Sequence, residues 1–178
     1  MNSLTHKITR AHLKTIAVIT MTLDHFGAII IETLMNRTPG DQQLVMLYVL
    51  LRIIGRIAFP LYAYLLAEGI THTHNRIAYL LRIGAFALIS EIPFDIGLSL
   101  SKVNLRNGHF FELSYQNVFF TLFLGFAVMC LIEHLYETCK PNHPLLQLCG
   151  LIAALIASYI GEFIHCDYGA EGVFAVYA

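Results

Sequence analysis

Residues 13–35 read LKTIAVITMTLDHFGAIIIETLM, a long apolar stretch with Asp24 and His25 side by side near its centre. About 20 apolar residues are enough for a helix to cross the hydrocarbon core of a membrane. An ionisable side chain in the middle of such a helix is costly, so it usually faces a partner or a functional site. The stretch therefore predicts a membrane-spanning helix that carries buried chemistry.

The composition of the whole chain agrees with a membrane protein. Of its 178 residues, 57% are apolar and 13% are charged, whereas about 25% are charged in a typical soluble domain. The formal net charge is −1 and no basic run occurs, which argues against nucleic acid as a partner and against a purely electrostatic membrane attachment. The four cysteines (Cys130, Cys139, Cys149 and Cys166) form no CxxC pair, and we interpret them as packing residues in a disulfide-free protein.

Apolar stretches of spanning length recur along the chain. Five approach the required length, at about 13–35, 44–66, 77–98, 117–136 and 145–164. A sixth begins near Gly172 and stops at Ala178, too short to cross. Pro93 should kink or end the third span, and residues 99–114 are expected to form an exposed loop or a short interfacial helix. We predict an all-α, polytopic transmembrane helical bundle with about five complete spans and the start of a sixth, a single domain over 1–178 that is cut short at its carboxyl terminus.

The orientation follows from the lysines and arginines of the short loops, which are enriched on the cytoplasmic side. With the amino terminus inside, the cytoplasmic set is Lys7, Arg10, Lys14, Arg76 and Lys140, and the external set is Arg37, Lys102 and Arg106. The bias predicts a cytoplasmic amino terminus.

The second span carries Arg52 and Arg56 in its middle. At 1.5 Å per residue, Asp24 and Arg56 both lie roughly 15 Å from the cytoplasmic end of their helices. We expect them to pair, which would remove much of the cost of burying either. Neighbouring residues on a helix point in different directions, so His25 is left as a general base with a pKa near neutrality. The alternative is a structural ion-pair cluster that ties helices together.

A second polar cluster lies towards the cytoplasm. It comprises Glu68, His72, His74, Arg76, Tyr79 and Arg82. Arg76, Tyr79 and Arg82 recur every three residues and so share one face of a helix, and the fork of donors of an arginine suits phosphate. This pattern favours a phosphate-bearing cofactor from the cytosol. Ordinary positive-inside anchors would look the same.

On the outer side, Asn117, Thr121 and Gly125 follow one another at intervals of one turn. Such a stripe suits helix packing through small residues and hydrogen bonds. The segment EFIHCDYG places Glu162, His165, Asp167 and Tyr168 together at the outer face. A short interfacial loop would have the same sequence pattern. No HExxH, GxSxG, P-loop or GxGxxG motif occurs, and we expect no metal.

Four stretches together resemble the TraX family. They are LTHKITRAHLKTIAVITMTLDHFG, LRIIGRIAFPLYAYLLAEGITHTHNRIAYLLR, QNVFFTLFLG and DYGAEGV, in the family's order. The family is named after the conjugal-transfer protein that N-acetylates F-type pilin, and it is distantly similar to other multi-span membrane acyltransferases. The matching positions are Lys14, Asp24, His25, Arg52, Gly55, Arg56, Phe59, Pro60, Glu68, Gly69, Tyr79, Arg82, Asn117, Thr121, Asp167, Tyr168 and Gly169.

The resemblance implies an acetyl-CoA-dependent N-acetyltransferase of the bacterial inner membrane. Its acceptor would be a pilin-like protein or a small amine. Catalysis would rest on His25 as the base, Arg52 or Arg56 for the oxyanion, and Asp24 as counter-charge. Glu68, Arg76, Tyr79 and Arg82 would hold acetyl-CoA, while Asn117, Thr121, Asp167 and Tyr168 would lie on the acceptor side. A non-catalytic pilus assembly factor and a proton-coupled transporter are the alternatives, although the inverted repeats typical of transporters are not visible.

Overall fold

The computed structural model describes residues 9–101, 115–139 and 142–177, and these are almost entirely helical. The helices are α1 (Arg10–Phe26), a π-helical segment (Gly27–Ile31), α2 (Glu32–Arg37), α3 (Gln42–Gly55), α4 (Ala58–His72), α5 (Arg76–Ser101), α6 (Val118–Cys139), α7 (His143–Phe163) and α8 (Gly169–Tyr177). The predicted all-α class is confirmed.

Five helical runs among the described residues are long and apolar enough to cross a membrane. They are Arg10–Arg37, Gln42–His72, Arg76–Gly97, Val118–Cys139 and Pro144–Phe163. Large apolar side chains such as Met46, Leu88 and Tyr159 are exposed along them, as expected where lipid is the solvent. Most of the predicted 99–114 loop, and the loop cations Lys7, Lys102, Arg106 and Lys140, lie outside the described residues. Residues 99–101 belong to α5.

The chain divides into two compact units, Met1–Leu65 and Leu66–Ala178. In the first, α1 begins with a capping box in which Thr9 and His12 exchange side-chain-to-backbone hydrogen bonds. The helix then widens into the π-helical segment after Phe26, and α3 packs against both parts. The first predicted span is therefore one helical run, Arg10–Arg37, with its π-helical part close to the two ionisable residues.

The second predicted span is also interrupted, between α3 and α4 at Arg56 and Ile57. Pro60 accounts for the break, because proline has no N–H to donate to the carbonyl four residues earlier and its ring crowds that carbonyl. The carbonyl in question is that of Arg56. Pro60 itself lies in the first turn of α4, where proline is tolerated.

In the second unit, α6 packs against α5, α7 and α8. Val128, Ala154, Ala157 and Val173 form an apolar core between α6, α7 and α8. The short α8 approaches α6 closely at Gly125. A glycine permits this approach, because a Cβ at this position would collide with Val176. In α5, the helix continues through Pro93. Of the two effects predicted for this proline, a kink or an end of the span, the end does not occur.

Candidate functional site

An ion pair joins α1 to α3. Nη1 of Arg52 donates to Oδ2 of Asp24 at 2.5 Å, and the two side chains are 26% and 14% exposed. The structure thus shows a hydrogen-bonded contact of Asp24 with Arg52. Arg56 lies one turn further along, at the exposed C-cap of α3. Its predicted pairing with Asp24 stays a prediction.

The half-buried imidazole of His25 makes a contact that defines its tautomer. Its Nδ1 lies 2.9 Å from the carbonyl oxygen of Met21. A carbonyl oxygen can only accept, so Nδ1 must carry the hydrogen and donate it. In the neutral ring Nε2 then holds the lone pair. His25 is thereby arranged to take up a proton, or to act as a nucleophile, at Nε2.

Irregularities in helical geometry flank this pair in both helices, α1 and α3. The π-helical segment Gly27–Ile31 begins two residues after His25, and such π-bulges are frequent at functional sites. Gly27 is buried, and a Cβ there would lie 3.1 Å from Cβ of Leu51. On the facing helix the break at Arg56 directly follows Gly55. Gly27 and Pro60 are the residues by which the sequence could have indicated the π-helical segment and the break. The length of the apolar stretches alone does not indicate either feature.

Gly55 is the closest approach of α3 to Asp24. A methyl group at Gly55 would collide with the side chain of Asp24 and lie 2.7 Å from its Cα. We expect Gly55→Ala to destabilise the protein by about 1–3 kcal/mol, the usual cost of overpacking. Thermal unfolding in detergent micelles measures this. Gly69→Ala is the matched control, because its nearest neighbour would be Tyr79 at an ordinary 3.8 Å. Equal stabilities of the two variants would contradict the tight contact.

The cytoplasmic cluster is only partly brought together. Arg76 donates to Glu137 at 2.7 Å and lies 3.4 Å from Glu133, both on α6. Tyr79 packs edge-on against Phe126, with ring centroids 5.0 Å apart. Arg82 is exposed, and Glu68 is half-buried near the end of α4. The role of these four residues in holding acetyl-CoA stays a prediction. Arg76 already contacts two carboxylates, those of Glu133 and Glu137.

The predicted outer residues do converge. The hydroxyl of Thr121 donates to the carbonyl of Asp167, and Gln116 and Cys166 form an isolated parallel bridge. Tyr168 follows with a positive φ of 67°, a conformation that non-glycine residues rarely adopt. Asn117, Thr121, Asp167 and Tyr168 thus lie around one turn between α7 and α8.

Two residues of this region escape the sequence analysis. Glu91 and Asp95, one turn apart on α5, are only 7% and 5% exposed. Oε2 of Glu91 accepts hydrogen bonds from the backbone N–H of Asn117, at 3.2 Å, and from its side-chain amide. The signal was present in the sequence, because two acids inside an apolar span meet the same criterion that singled out Asp24.

The thiol of Cys166 belongs to this region as well. Burial raises its pKa to about 11, the Thr121 hydroxyl opposes the rise, and the nearby carboxyls of Glu91 and Asp167 add to it. A thiol with this pKa is protonated at neutral pH, whereas the thiolate is the nucleophile. Its burial, with 4% of the residue exposed, agrees with the packing role predicted from the sequence. All four cysteines are free thiols, and the part of the chain that the structure describes contains no group of three or more His, Cys, Asp or Glu side chains suited to a metal ion.

Comparison with known proteins places these features in a family. The model of the family described as TraX protein matches residues 9–178. The chain is 30% identical over 157 residues to the Probable fimbrial assembly protein FimC, serogroup H1, of Dichelobacter nodosus. That match covers 88% of this chain and 55% of the relative, so the chain spans about half the length of the relative. No solved structure matches.

Proposed function

The chain belongs to the TraX family, and on that premise we propose that it is an acetyl-CoA-dependent N-acetyltransferase of the bacterial inner membrane. It is a multi-pass membrane protein, as its five apolar helical runs indicate. We place the amino terminus in the cytoplasm on the distribution of lysine and arginine. The acceptor class is the amino group of a pilin-like protein or of a small amine.

One observation supports this function above the others: a histidine of defined tautomer stands next to a partly buried ion pair in a membrane span. Nδ1 of His25 donates to Met21, which leaves Nε2 as the base. Asp24 holds Arg52 in place at 2.5 Å. A guanidinium has further N–H donors besides the one used by Asp24. A preorganised donor of this kind stabilises an oxyanion best where water is excluded.

The proposed reaction is a direct transfer. Nε2 of His25 takes a proton from the acceptor nitrogen as that nitrogen attacks the thioester carbonyl of acetyl-CoA. Arg52, or Arg56 one turn away, stabilises the oxyanion of the tetrahedral intermediate. The carbon–sulfur bond then breaks, the coenzyme A thiolate accepts the proton from His25, and the acetylated amine is released. An acetyl-histidine intermediate at the same Nε2 is the variant of this scheme.

Membrane vesicles test activity and orientation together. Acetyl-CoA does not cross a membrane unaided, so radiolabelled acetyl-CoA is added outside inverted or right-side-out vesicles. A peptide with a free α-amino group is present on both sides. We expect labelled peptide with inverted vesicles only. Label with right-side-out vesicles alone would reverse the orientation, and no label in either preparation would reject the enzyme.

Arg82 is the arginine on which the acetyl-CoA site is best tested, because it is exposed and Arg76 is engaged by Glu133 and Glu137. Arg82→Ala should weaken acetyl-CoA binding on the order of tenfold, the worth of a hydrogen bond to a charged group. Thermal-shift titration with acetyl-CoA measures the change. Arg37→Ala, another exposed arginine, is the control and should bind as the wild type does. Unchanged affinity in Arg82→Ala would remove this residue from the site.

A role in pilus assembly without catalysis is the second candidate. It is favoured by the name of the relative from Dichelobacter nodosus, a probable fimbrial assembly protein. An assembly factor would need the Asp24–Arg52 pair only as a link between helices. Deleting the protein would then lower the number of pili, and expression of His25→Ala would restore it fully.

A further inference from the structure

The π-helical segment Gly27–Ile31 lies where the two helices of the Asp24–Arg52 ion pair meet. The backbone N–H of Glu32 donates to the carbonyl oxygen of Gly27, which stands five residues earlier. An α-helix makes the corresponding bond over four residues, so this turn contains one residue more than a regular turn. The helix of Arg52, α3, packs against the segment as well as against α1. The extra residue is therefore placed beside the ion pair.

The first residue of the segment contacts the carbon chain of Arg52. A Cβ on Gly27 would lie 3.7 Å from Cδ of Arg52 and 3.1 Å from Cβ of Leu51. Gly27 is buried, so the backbone of α1 itself forms the surface against which this chain lies. Nη1 of Arg52 then reaches Asp24, three residues before Gly27, at 2.5 Å. Arg52 is thus held at two points, by its charge and by its carbon chain.

We propose that the segment Gly27–Ile31 is a positioning element for Arg52. Its extra residue holds the backbone of α1 against the carbon chain of Arg52, and this contact fixes the direction of the guanidinium N–H donors that Asp24 does not use. The inference rests on the proposed function, in which Arg52 stabilises the oxyanion. An oxyanion donor is most effective when it is already fixed where the charge develops. A regular turn, with one residue fewer, would leave the guanidinium free to shift.

The segment contains a residue that can be removed. Ile30 is 45% exposed, so its deletion removes no buried side chain and leaves enough residues for a regular α-helical turn. The residues before and after the segment should then keep the same faces towards α3. Deletion of Val18, which is 54% exposed in the regular part of α1, is the matched control. No extra residue is present there, so one side of the helix would turn by about 100°.

The full-length protein without Ile30, in detergent micelles, is the test. We expect its unfolding temperature to stay close to that of the wild type, whereas deletion of Val18 should lower it. In the double-mutant cycle of Asp24→Asn and Arg52→Gln, most of the coupling should be lost when Ile30 is absent. The kcat for acetyl transfer should fall by about 10- to 100-fold, because a displacement of about 1 Å can cost this much. The KM for acetyl-CoA should not change, as expected when only an interaction of the transition state is lost.

Gly27→Ala is a second variant that keeps the length of the helix. Its methyl group would lie 3.1 Å from Cβ of Leu51, closer than an ordinary van der Waals contact between carbon atoms. Since α3 must move away slightly to accommodate it, the variant should also lower kcat and leave KM unchanged.

Three outcomes would overturn the proposal. They are a protein without Ile30 that is as unstable as the protein without Val18, an unchanged coupling between Asp24 and Arg52 in the folded protein without Ile30, and a wild-type kcat in both folded variants. The coupling is measured without acetyl-CoA, which separates this proposal from the proposed function. A reduced coupling, in a protein whose wild type transfers no acetyl group, would support the positioning of Arg52 and reject only the transferase.

Discussion

His25→Ala is expected to lower the rate of acetyl transfer by about 10²- to 10⁴-fold, the usual contribution of a general base, while the protein stays folded. The substitution removes Nε2, the proposed base, and breaks only one hydrogen bond within α1, that from Nδ1 to Met21. The neutral ring leaves no charge behind. A transfer assay with radiolabelled acetyl-CoA, alongside thermal unfolding, measures both properties.

His12→Ala is the matched control, because His12 lies on the same helix but at its exposed start. It should lose at most part of the capping box and keep full activity. His25→Gln adds a second comparison, because it restores a polar side chain without a titratable nitrogen. A folded His25→Ala protein that transfers acetyl groups at the wild-type rate would eliminate His25 as the base and with it the proposed mechanism.

Asp24→Asn is expected to destabilise the protein by about 2–3 kcal/mol, less than the roughly 3–5 kcal/mol of a fully buried ion pair, because both side chains keep some exposure. The asparagine would leave the charge of Arg52 without its counter-charge inside the membrane. Pairing Asp24→Asn with Arg52→Gln should recover part of the loss. Unfolding in detergent of the wild type, both single variants and the double variant measures the coupling.

Arg56→Gln provides the discriminating control for this cycle. If the 2.5 Å contact between Arg52 and Asp24 is the main interaction of Asp24, the coupling energy with Asp24 should be larger for Arg52 than for Arg56. The opposite order would restore the partner predicted from helical depth alone. Additive effects at both positions would mean that Asp24 is not stabilised by either arginine.

The sequence by itself was sufficient to predict the helices. Lipid imposes about 20 apolar residues on each spanning helix, so the five predicted stretches match the five helical runs closely. A charge in such a stretch has few acceptable surroundings, which is why Asp24 and an arginine of the next span could be predicted to meet. The same reasoning applied to SEIPFDIG would also have identified Glu91 and Asp95.

Only the tertiary structure decided which groups meet. Arg52 and Arg56 differ by one turn, and the packing of α3 against α1 brings Arg52 within hydrogen-bond distance of Asp24. Asn117 contacts Glu91 across 26 positions of the chain, and Thr121 contacts Asp167 across 46. Sequence periodicity specifies the face of one helix, whereas these contacts depend on how separate helices pack. The tautomer of His25, by contrast, follows from a contact within α1, to the carbonyl oxygen of Met21 one turn earlier.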